Sequence, residues 1–316
     1  MGMIVAGIPS NRAELCKEAV EAWKATGEFD EIWVMWDDTR VPLDRFPPIP
    51  KRIFRHETDE PSCIPTGSGC CRSRLVLEAW KNPDVEWLVH LDDDVTPQEG
   101  QWRKVIPGEE WHSRWISTMQ GYRKYPRGHP YSEREKHDYP RLVHGMWNGV
   151  PDWDAVGQLN AYGESYKHDM AADPRVVPYG LYFAMSSMAV AIHRDLFPAS
   201  YFLWMGKDLP LNKFGDIWCG VILKRICDHF GWLVTSGAPV VYHERASNVW
   251  DNLRQECKAI AYNEYWWRWV DAVDLRLCRT VSQCYRQIAT QMEMPKTAAF
   301  EELRAKMMEW INLFDK

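Results

Sequence analysis

The stretch His90-Leu91-Asp92-Asp93-Asp94-Val95 follows the apolar run Val85-Glu86-Trp87-Leu88-Val89, which has the length of a buried strand. Three consecutive carboxylates at the end of such a strand repel one another unless a cation lies between them. Oxygen ligands of this kind suit Mg²⁺ or Mn²⁺, and a metal held by two or three carboxylates keeps open positions that a diphosphate can fill. The alternative is an acidic strand-to-helix turn in which Asp94 or Thr96 caps the next segment.

The first hundred residues alternate strand-like and helix-like segments. Strands are expected at residues 3–8, 32–36, 51–55 and 85–89. Pro9 is expected to end the first strand, and Ser10 or Asn11 to cap the helix that follows. Gly67-Ser68-Gly69 is expected to open a second helix. This alternation predicts an α/β fold with a Rossmann-like, mixed but mainly parallel sheet flanked by helices.

Polar residues follow several of these predicted strands. Ser10 follows the first strand, Asp37-Asp38 the second, and the acidic triplet the fourth. Ligands of mainly parallel sheets bind beyond the carboxyl ends of the strands, so these residues are expected to gather at one edge. The candidate ligand-binding residues at this edge are Pro9, Ser10, Asp37, Arg72, Asp92 and Asp93.

The segment from Trp102 to Gly149 is polar, rich in aromatic residues and arginine, and without clear periodicity. Long segments of this kind are often functional, and the planar fork of arginine binds phosphate or carboxylate. Arg127 and Arg134 are therefore candidate site residues. The alternative is a solvated loop in which the arginines pair with Glu133 and Glu135.

The second half of the chain adds two more candidates at the same edge. Strands are predicted at residues 188–192, 232–234 and 239–242, and a helix at residues 214–230. Asp216 in the first turn of that helix suits the helix dipole, and it can also serve as a base on the acceptor side of a reaction. His243 follows the last strand and completes a candidate metal-ligand set with Asp92 and Asp94, although a single histidine after a strand is usually structural.

From Ala246 onward the chain is predicted to be helical, with Pro295 separating two segments. We therefore expect a catalytic domain at residues 1–245 and a helical extension at residues 246–316, packed on that domain or on a partner. Packing of this kind, including self-association into a homo-oligomer, is suggested by an aromatic cluster of Tyr262, Tyr265, Trp266, Trp267 and Trp269.

The composition is that of a soluble globular protein, with 46% hydrophobic and 26% charged residues among 316. The formal net charge of −6 argues against a protein that mainly neutralises nucleic-acid phosphates. Nine cysteines, odd in number and without zinc-type pairs, indicate free thiols in a reducing compartment. The sequence shows neither a signal segment nor a membrane-spanning stretch, which predicts a cytoplasmic protein.

The Asp-x-Asp pattern at a strand end of an alternating sheet resembles glycosyltransferases of the GT-A type. In such enzymes a metal stabilises the charge on a departing nucleoside diphosphate. More specific segments are Ser68–Arg72, Arg127–Glu135, His144–Ala155, Tyr201–Gly206, Gly215–Gly220, Ile226–Gly231 and His243–Asn248. In this order they resemble the reversibly glycosylated polypeptide family, which includes the UDP-arabinopyranose mutases. The resemblance runs from about Ile4 to Glu256, and the residues after Glu256 show no clear match.

The resemblance implies a GT-A-like fold, a UDP-sugar substrate and a divalent metal, usually Mn²⁺, with Mg²⁺ as the alternative. It implies that Asp92, Asp93 and Asp94 are required for activity. By motif, Arg127 is the arginine that becomes reversibly glycosylated, and Arg134 matches a second important arginine. The mutases convert the pyranose form of UDP-arabinose to the furanose form, by a route of sugar cleavage, ring opening, re-closure and return to UDP.

The chain departs from the family pattern at several positions. Gly215 replaces an acidic residue, Ser186-Ser187 replaces a Cys-Gly pair, Ala189 replaces an asparagine, and His129 replaces a tyrosine. These positions belong to the expected sugar and acceptor regions. The identity of the sugar and its fate are therefore the open points.

Three functions fit these observations. The first is a UDP-sugar enzyme of the mutase and self-glycosylating type, favoured by Arg127 and Arg134. The second is a glycosyltransferase that moves the sugar to an external acceptor, such as a protein, a glycan or a modified nucleobase in DNA, favoured by the altered acceptor-side residues. The third is a non-catalytic assembly subunit, against which the complete Asp92–Asp94 triplet argues.

Overall fold

The computed structural model describes most of the chain. The described ranges are residues 2–36, 51–54, 62–64, 68–99, 101–106, 115, 125–134, 138–150, 152–161, 170–203, 213–244 and 248–315. Asp37 and Asp38 lie outside them.

Strands of the described ranges form a single mixed sheet. They are β1 (Met3–Ser10), β2 (Glu31–Trp36), β3 (Lys51–Phe54), β4 (Val85–Leu91), β5 (Val95–Glu99), β6 (Leu142–Gly149), β7 (Arg175–Val176), β8 (Ala189–His193) and β9 (Val234–His243). Their order is β3-β2-β1-β4-β8-β6-β9-β5, and β7 also pairs with β9. Only β5, β7 and β8 run against the other strands. The predicted mixed, mainly parallel sheet is confirmed.

Helices cover both faces of this sheet. They are α1 (Ala13–Thr26), α2 (Ser68–Lys81), α3 (Trp102–Val105), α4 (Ala155–Asn160), α5 (Gly215–Phe230), α6 (Val249–Glu256), α7 (Ile260–Asp271), α8 (Val281–Gln291) and α9 (Ala298–Asn312). Successive residues of a strand point to opposite faces. Val5 accordingly joins an apolar cluster with α2, α5, α7, α8 and α9, while Ile4 and Ala6 join a second cluster with α1 and α3. The predicted α/β class with flanking helices is confirmed.

The end of β1 differs from the sequence prediction. Pro9 does not stop the strand, which continues to Ser10 opposite Trp36 of β2. On its other side β1 pairs with β4 only as far as Gly7, so Pro9 lies beyond that ladder and its missing N–H is not needed there. The cap position of α1 is occupied by Arg12, whose side chain makes no capping hydrogen bond to the helix, rather than by Ser10 or Asn11.

Two predictions for the middle strands are also wrong. Residues 142–149, assigned to a weakly structured segment, form β6 between β8 and β9. The two short strands expected at residues 232–234 and 239–242 are the single strand β9. Gly237, with φ of 110°, and Pro239 lie inside β9, where the pairing with β6 shifts register. An irregular strand of this kind tolerates residues that elsewhere indicate turns.

The C-terminal residues form four of these helices, α6 to α9, rather than the two expected segments. Trp266 of α7 stacks on Trp218 of α5, with ring centroids 4.2 Å apart. Trp310 of α9 stacks on Tyr201 at 5.2 Å and donates its indole N–H to the carbonyl of Pro198 at 2.9 Å. These helices therefore share one apolar core with the sheet, and the proposed domain boundary at residue 245 stays a prediction.

Three further sequence expectations concern exposed surface, thiols and membranes. Tyr265 and Trp267 are exposed, whereas Trp266 is buried, and self-association stays a prediction. All nine cysteines are free thiols, as expected. None of the helices in the described ranges is long and apolar enough to cross a membrane.

Candidate active site

The acidic triplet forms a turn between two strands. β4 ends at Leu91 and β5 begins at Val95, whose N–H donates to the carbonyl of Asp92 at 3.3 Å. The alternative of an acidic helix cap is wrong, because a strand follows the triplet. The next helix, α3, begins only after Gln101. The triplet therefore lies at the carboxyl edge of the sheet with its side chains available for other contacts.

Asp93 is the buried anchor of this turn. It is 5% exposed and accepts a hydrogen bond from the Ser10 hydroxyl at 2.5 Å. Arg12 donates to both Asp93 oxygens, with its Nε at 3.1 Å from Oδ2, and its Nη2 also contacts Asp94 Oδ2 at 3.1 Å. Burial alone would lower the pKa of Arg12. The hydrogen bonds to Asp93 and Asp94 and the charges of these residues raise the pKa by more than burial lowers it, so the net shift is upward. The expected meeting of Ser10 with the acidic turn is confirmed.

Asp92 pairs with a second arginine. Arg72 of α2, which is nearly buried, donates its Nη2 to Asp92 Oδ1. Burial raises the pKa of Asp92, because it disfavours the charged form, and the charges of Asp94 and Asp93 raise it as well. The charge of Arg72 lowers this pKa, but the net shift is upward. Two guanidinium groups, of Arg12 and Arg72, therefore neutralise part of the negative charge of the triplet.

His243 joins the turn from β9. The register places it opposite both Gly149 of β6 and Val95 of β5. Its Nδ1 lies 2.8 Å from the carbonyl of Val150, which can only accept, so Nδ1 is the donor of this hydrogen bond. That Nε2 lies 3.8 Å from Asp94 Oδ1.

Asp94 and His243 thus present one oxygen and one nitrogen donor toward the same space, and these donor types suit Mn²⁺ or Mg²⁺ together with phosphate oxygens. No group of three His, Cys, Asp or Glu side chains within the described ranges is arranged to hold a metal ion. Asp92, the third predicted ligand, is paired with Arg72. The donor set therefore fits an ion whose remaining ligands come from the substrate and water.

Asp216 lies in the first turn of α5, where the sequence placed it. Its Oδ2 accepts hydrogen bonds from the N–H of Ser187 at 3.0 Å and from the Ser187 hydroxyl at 2.8 Å. Its Oδ1 accepts from the N–H of Ile217 at 3.0 Å. Oδ2 thus holds Ser187 against the start of α5.

Asp152 is a site residue that the sequence analysis missed. The crowding of protein atoms around it and the Asp216 carboxylate raise its pKa to about 6, and Asp92 adds to the increase. The Ser186 hydroxyl, which hydrogen-bonds to Asp152, and His243 oppose the shift. The side chain nevertheless stays exposed to solvent. The charges of Asp216, Asp92 and His243 all act on this carboxylate, so Asp152 belongs to the surroundings of the acidic turn.

Ser186 is fixed by a buried histidine of β6. Its N–H donates to His144 Nε2 at 3.1 Å, and His144 Nδ1 lies 2.9 Å from the Ser236 hydroxyl. Burial lowers the pKa of His144 to about 4, so the ring is neutral at pH 7 and can accept from Ser186. The serine pair that departs from the family pattern is therefore rigidly held between His144 and Asp216.

The two candidate arginines lie in a separate segment, residues 125–134. Arg127 is exposed at the tip of a turn in which the N–H of His129 donates to the carbonyl of Pro126 at 3.1 Å. Arg134 packs over the ring of Tyr131, with its guanidinium carbon 3.7 Å from the ring centroid. The structure gives no contact between these arginines and the acidic turn among the residues it describes.

The structure thus brings together some of the predicted site residues and leaves others apart. The residues that meet at the edge are Ser10, Arg72, Asp92, Asp93, Asp94 and His243, with Asp216 nearby. Pro9 precedes Ser10 in β1, and Asp37 lies outside the described residues. Arg12 and Asp152 are additions. The sequence feature that could have indicated Arg12 is its position two residues after Ser10. The feature that could have indicated Asp152 is its place within the family motif His144–Ala155.

Comparison with known proteins gives consistent relatives. A family model described as reversibly glycosylated polypeptide matches residues 119–316. Probable UDP-arabinopyranose mutase 1 of Solanum tuberosum is 35% identical, over 81% of this chain and 73% of that protein. UDP-arabinopyranose mutase 1 of Oryza sativa subsp. japonica is 34% identical, over 81% of this chain and 73% of that protein. UDP-arabinopyranose mutase 1 of Arabidopsis thaliana is 30% identical, over 81% of this chain and 75% of that protein.

These matches extend one sequence observation and confirm an expectation. The family model reaches residue 316, so the resemblance continues beyond Glu256. The relatives are mutases, and the prediction of an enzyme is confirmed at the level of the family. A solved mycobacterial structure aligns with a TM-score of 0.45 and 12% identity, over 84% of this chain and 74% of that one, which is too distant for functional inference.

Proposed function

Because this chain belongs to the reversibly glycosylated polypeptide family, we propose that it is a UDP-sugar mutase that breaks and re-forms the bond between a sugar and UDP. The substrate class that we propose is a UDP-pentose such as UDP-arabinopyranose, with a divalent metal as cofactor. Location in the cytoplasm and assembly into a homo-oligomer are further parts of this proposal.

The observation that carries the proposal is the convergence of Ser10, Arg12, Arg72 and His243 on the acidic turn at the carboxyl edge of the sheet. At the diphosphate end of the proposed site, Asp94 and His243 lie together with Arg12. At the proposed sugar end, Asp152 and Ser186 offer a carboxylate and a hydroxyl to a ligand rich in hydroxyl groups. A nucleotide sugar has both of these chemical features.

At the diphosphate end, we assign Asp94 and His243 as the residues that would hold Mn²⁺ or Mg²⁺. Such an ion, when bound, neutralises the negative charge that develops on UDP as the sugar leaves. Arg12 is partly exposed and can contact a phosphate once Asp94 binds the metal, whereas Arg72 holds Asp92 in position. Contacts to the rest of the nucleotide are assigned to Pro9, Ser10, Asp37 and Asp93.

At the sugar end, we assign Arg127 as the residue that carries the sugar during rearrangement. Its guanidinium is exposed, in contrast to that of Arg134, which is covered by Tyr131. The bond between the anomeric carbon and the diphosphate oxygen breaks, and UDP keeps the electron pair. A guanidine nitrogen of Arg127 then bonds to that carbon and loses a proton to solvent. The bond between this carbon and the ring oxygen breaks as the nitrogen lone pair forms a C=N double bond, and the released oxygen takes up a proton. A different hydroxyl of the sugar then adds to the carbon and loses its proton, which closes the smaller ring. Return of the rearranged sugar to UDP reverses the transfer to Arg127, and Asp216 remains the proposed base for any external acceptor.

The test incubates the protein with Mn²⁺ and a panel of UDP-sugars, followed by chromatography of the nucleotide sugars and intact-protein mass spectrometry. We expect a furanose product and a sugar adduct that is lost in Arg127→Ala. The control Arg175→Ala removes another exposed arginine, one that pairs with Asp173.

Other outcomes of the same test would replace the proposal. Release of UDP only after addition of a protein, a glycan or modified DNA would identify a transferase with an external acceptor. Absence of UDP-sugar binding would favour a non-catalytic subunit.

A further inference from the structure

Five large apolar side chains form an exposed face beside the C-terminal half of α5. They are Tyr179 and Leu181 on a turn before β8, Tyr265 and Trp267 on α7, and Leu277 between α7 and α8. Tyr179 is 78% exposed and Leu277 is 88% exposed. Single exposed side chains of this kind are ordinary, but a contiguous group of them marks an interaction site.

The turn at residues 178–181 is held rigidly. Its first carbonyl accepts the N–H of its last residue at 3.2 Å, and Gly180 in its third position has a φ of 76°, as a type II turn requires. Lys224 of α5, whose side chain is fully buried, donates to the carbonyl of Pro178 at 3.0 Å. Asp228, the ion-pair partner of Lys224, accepts from the N–H of Gly180 at 3.1 Å. The tyrosine and the leucine of this turn are therefore exposed on a fixed backbone, which lowers the entropy that binding would cost.

Tyr182, the next residue of the chain, joins this turn to α7. Its hydroxyl donates to Asp271 at 2.9 Å, and its ring centroid lies 6.1 Å from that of Trp267. The guanidinium carbon of Arg268 lies over the rings of Trp267 and Tyr265, at 5.1 Å and 5.6 Å from their centroids. The turn and α7 therefore present one continuous surface.

Leu277 is joined to the same surface through α5. His229 Nε2 lies 2.9 Å from the carbonyl of Cys278, and Arg225 donates to the carbonyl of Val273 at 3.2 Å. The segment between α7 and α8 is thus fixed along the same stretch of α5 that holds the turn.

The size of this face matches what a stable protein–protein contact needs. An aromatic side chain buries about 150–250 Å² when it is fully covered, so the exposed parts of the five side chains amount to about 600 Å². A standard interface takes about 800 Å² from each partner, and the polar atoms between the rings supply the remainder.

The charges on this face are balanced, which selects the kind of partner. Asp271 lies 3.7 Å from Arg225, and Asp274 pairs with Arg276 at 2.7 Å. A nucleic acid or an anionic membrane surface needs an excess of positive charge, which these pairs do not offer. In a two-fold dimer the face meets its own copy, so balanced charges avoid the repulsion that acts elsewhere between two chains of net charge −6.

We propose that this face binds a second copy of the chain in a two-fold symmetric dimer, in which the turns and the α7 helices of the two copies meet. Asp216 and Asp228 are twelve residues apart on α5, about 18 Å along its axis, so the dimer leaves the proposed nucleotide-sugar site open. The inference specifies the homo-oligomer that the proposed function includes, and it rests on that part alone.

The experiment is sedimentation velocity of the full chain over a wide range of protein concentrations. Leu181→Glu and Leu277→Glu place a charge on either side of the face. Val156→Glu is the matched control, since Val156 is an exposed apolar residue of α4. We expect the unchanged protein and the control to form a dimer. Each face variant should weaken the dimer about 100-fold or more, because a two-fold interface contains every substitution twice.

Several results would overturn the inference. They are a protein that stays monomeric at every concentration, a dimer that both face variants leave intact, and a dimer that Val156→Glu weakens to the same extent.

Titration of the same samples with Mn²⁺ and UDP-arabinopyranose keeps the two proposals apart. We expect all three variants to bind as the unchanged protein does, which also shows that they are folded. Loss of this binding together with the dimer would overturn the separation of the face from the site. Absence of binding in the unchanged protein would count against the proposed UDP-sugar activity and leave the dimer result standing.

Discussion

Replacement of Arg12 tests whether guanidinium groups, rather than a metal, keep the acidic turn stable. Removal of one partner of a buried ion pair costs about 3–5 kcal/mol, whereas an exposed pair contributes about 0–1 kcal/mol. Asp93 is 5% exposed and Arg12 is 37% exposed, so this pair lies between the two cases. We therefore expect Arg12→Gln to lower the free energy of unfolding by about 2 kcal/mol in metal-free buffer.

The assay is urea denaturation at pH 7, followed by tryptophan fluorescence, for Arg12→Gln, Asp93→Asn and the double variant. Asp93→Asn removes the buried charge that Arg12→Gln leaves without its partner. The double variant should therefore be more stable than the sum of the single losses predicts, by about 1–2 kcal/mol. Strictly additive losses would refute the view that Arg12 neutralises Asp93. A matched exposed pair, Arg276 with Asp274, should show little coupling.

The remaining predictions concern the metal, the pH dependence and the core. Asp94→Asn should lower UDP-sugar turnover at least about 100-fold, and EDTA should do the same to the unchanged protein. Crowding by protein and Asp216 raise the pKa of Asp152 from 3.8 to about 6, so the native state binds this proton more tightly than the unfolded state. The contribution of Asp152 to stability should therefore fall as the pH rises from about 4 to 6, and Asp152→Asn should flatten that slope in urea titrations. Trp266→Ala should lower the free energy of unfolding by about 3–5 kcal/mol, because it removes a buried ring stacked on Trp218.

Each of these predictions has an outcome that contradicts it. Normal turnover in Asp94→Asn, or full activity in EDTA, would remove the basis for a metal site. An unchanged pH slope in Asp152→Asn would mean that this carboxylate titrates near its ordinary pKa. For the core, Trp267→Ala is the matched control, since its ring is 40% exposed on the same helix. Equal losses in the two tryptophan variants would contradict the packing of α7 on α5.

The positions of β1 to β4 along the chain follow from the sequence because their pattern is local. Apolar runs of strand length, each followed by a polar residue, predict buried parallel strands and one functional edge. β6 escaped this reasoning because His144, Gly145 and Asn148 interrupt its apolar pattern. Gly145 is required there by a contact at long range, since an added side-chain carbon would come within 2.7 Å of the carbonyl of Pro239. No local pattern contains that information.

The candidate site was predictable where its residues follow strands and not where they depend on partners distant in sequence. The acidic turn and His243 were found because each stands directly after a predicted strand. Asp152 was not found, because its role depends on two residues distant in sequence. Ser186 lies in the segment before β8, and Asp216 lies in α5. The counter-charges were also missed, since Arg12 at a helix start looks like an ordinary solvated residue until Asp93 is placed beside it.

The position of β5 at the edge of the sheet has a consequence for the order in which the protein can be built during synthesis. β5 follows the acidic turn immediately, yet it pairs with β9, whose residues 234–243 leave the ribosome about 140 residues later. Until then the strand that holds the downstream side of the turn has no partner in the sheet, and His243 does not yet exist. A fragment ending near residue 150 would contain all three aspartates with Arg12 and Arg72, but neither β9 nor His243. The nucleotide-binding edge is therefore completed only after most of the chain has been made.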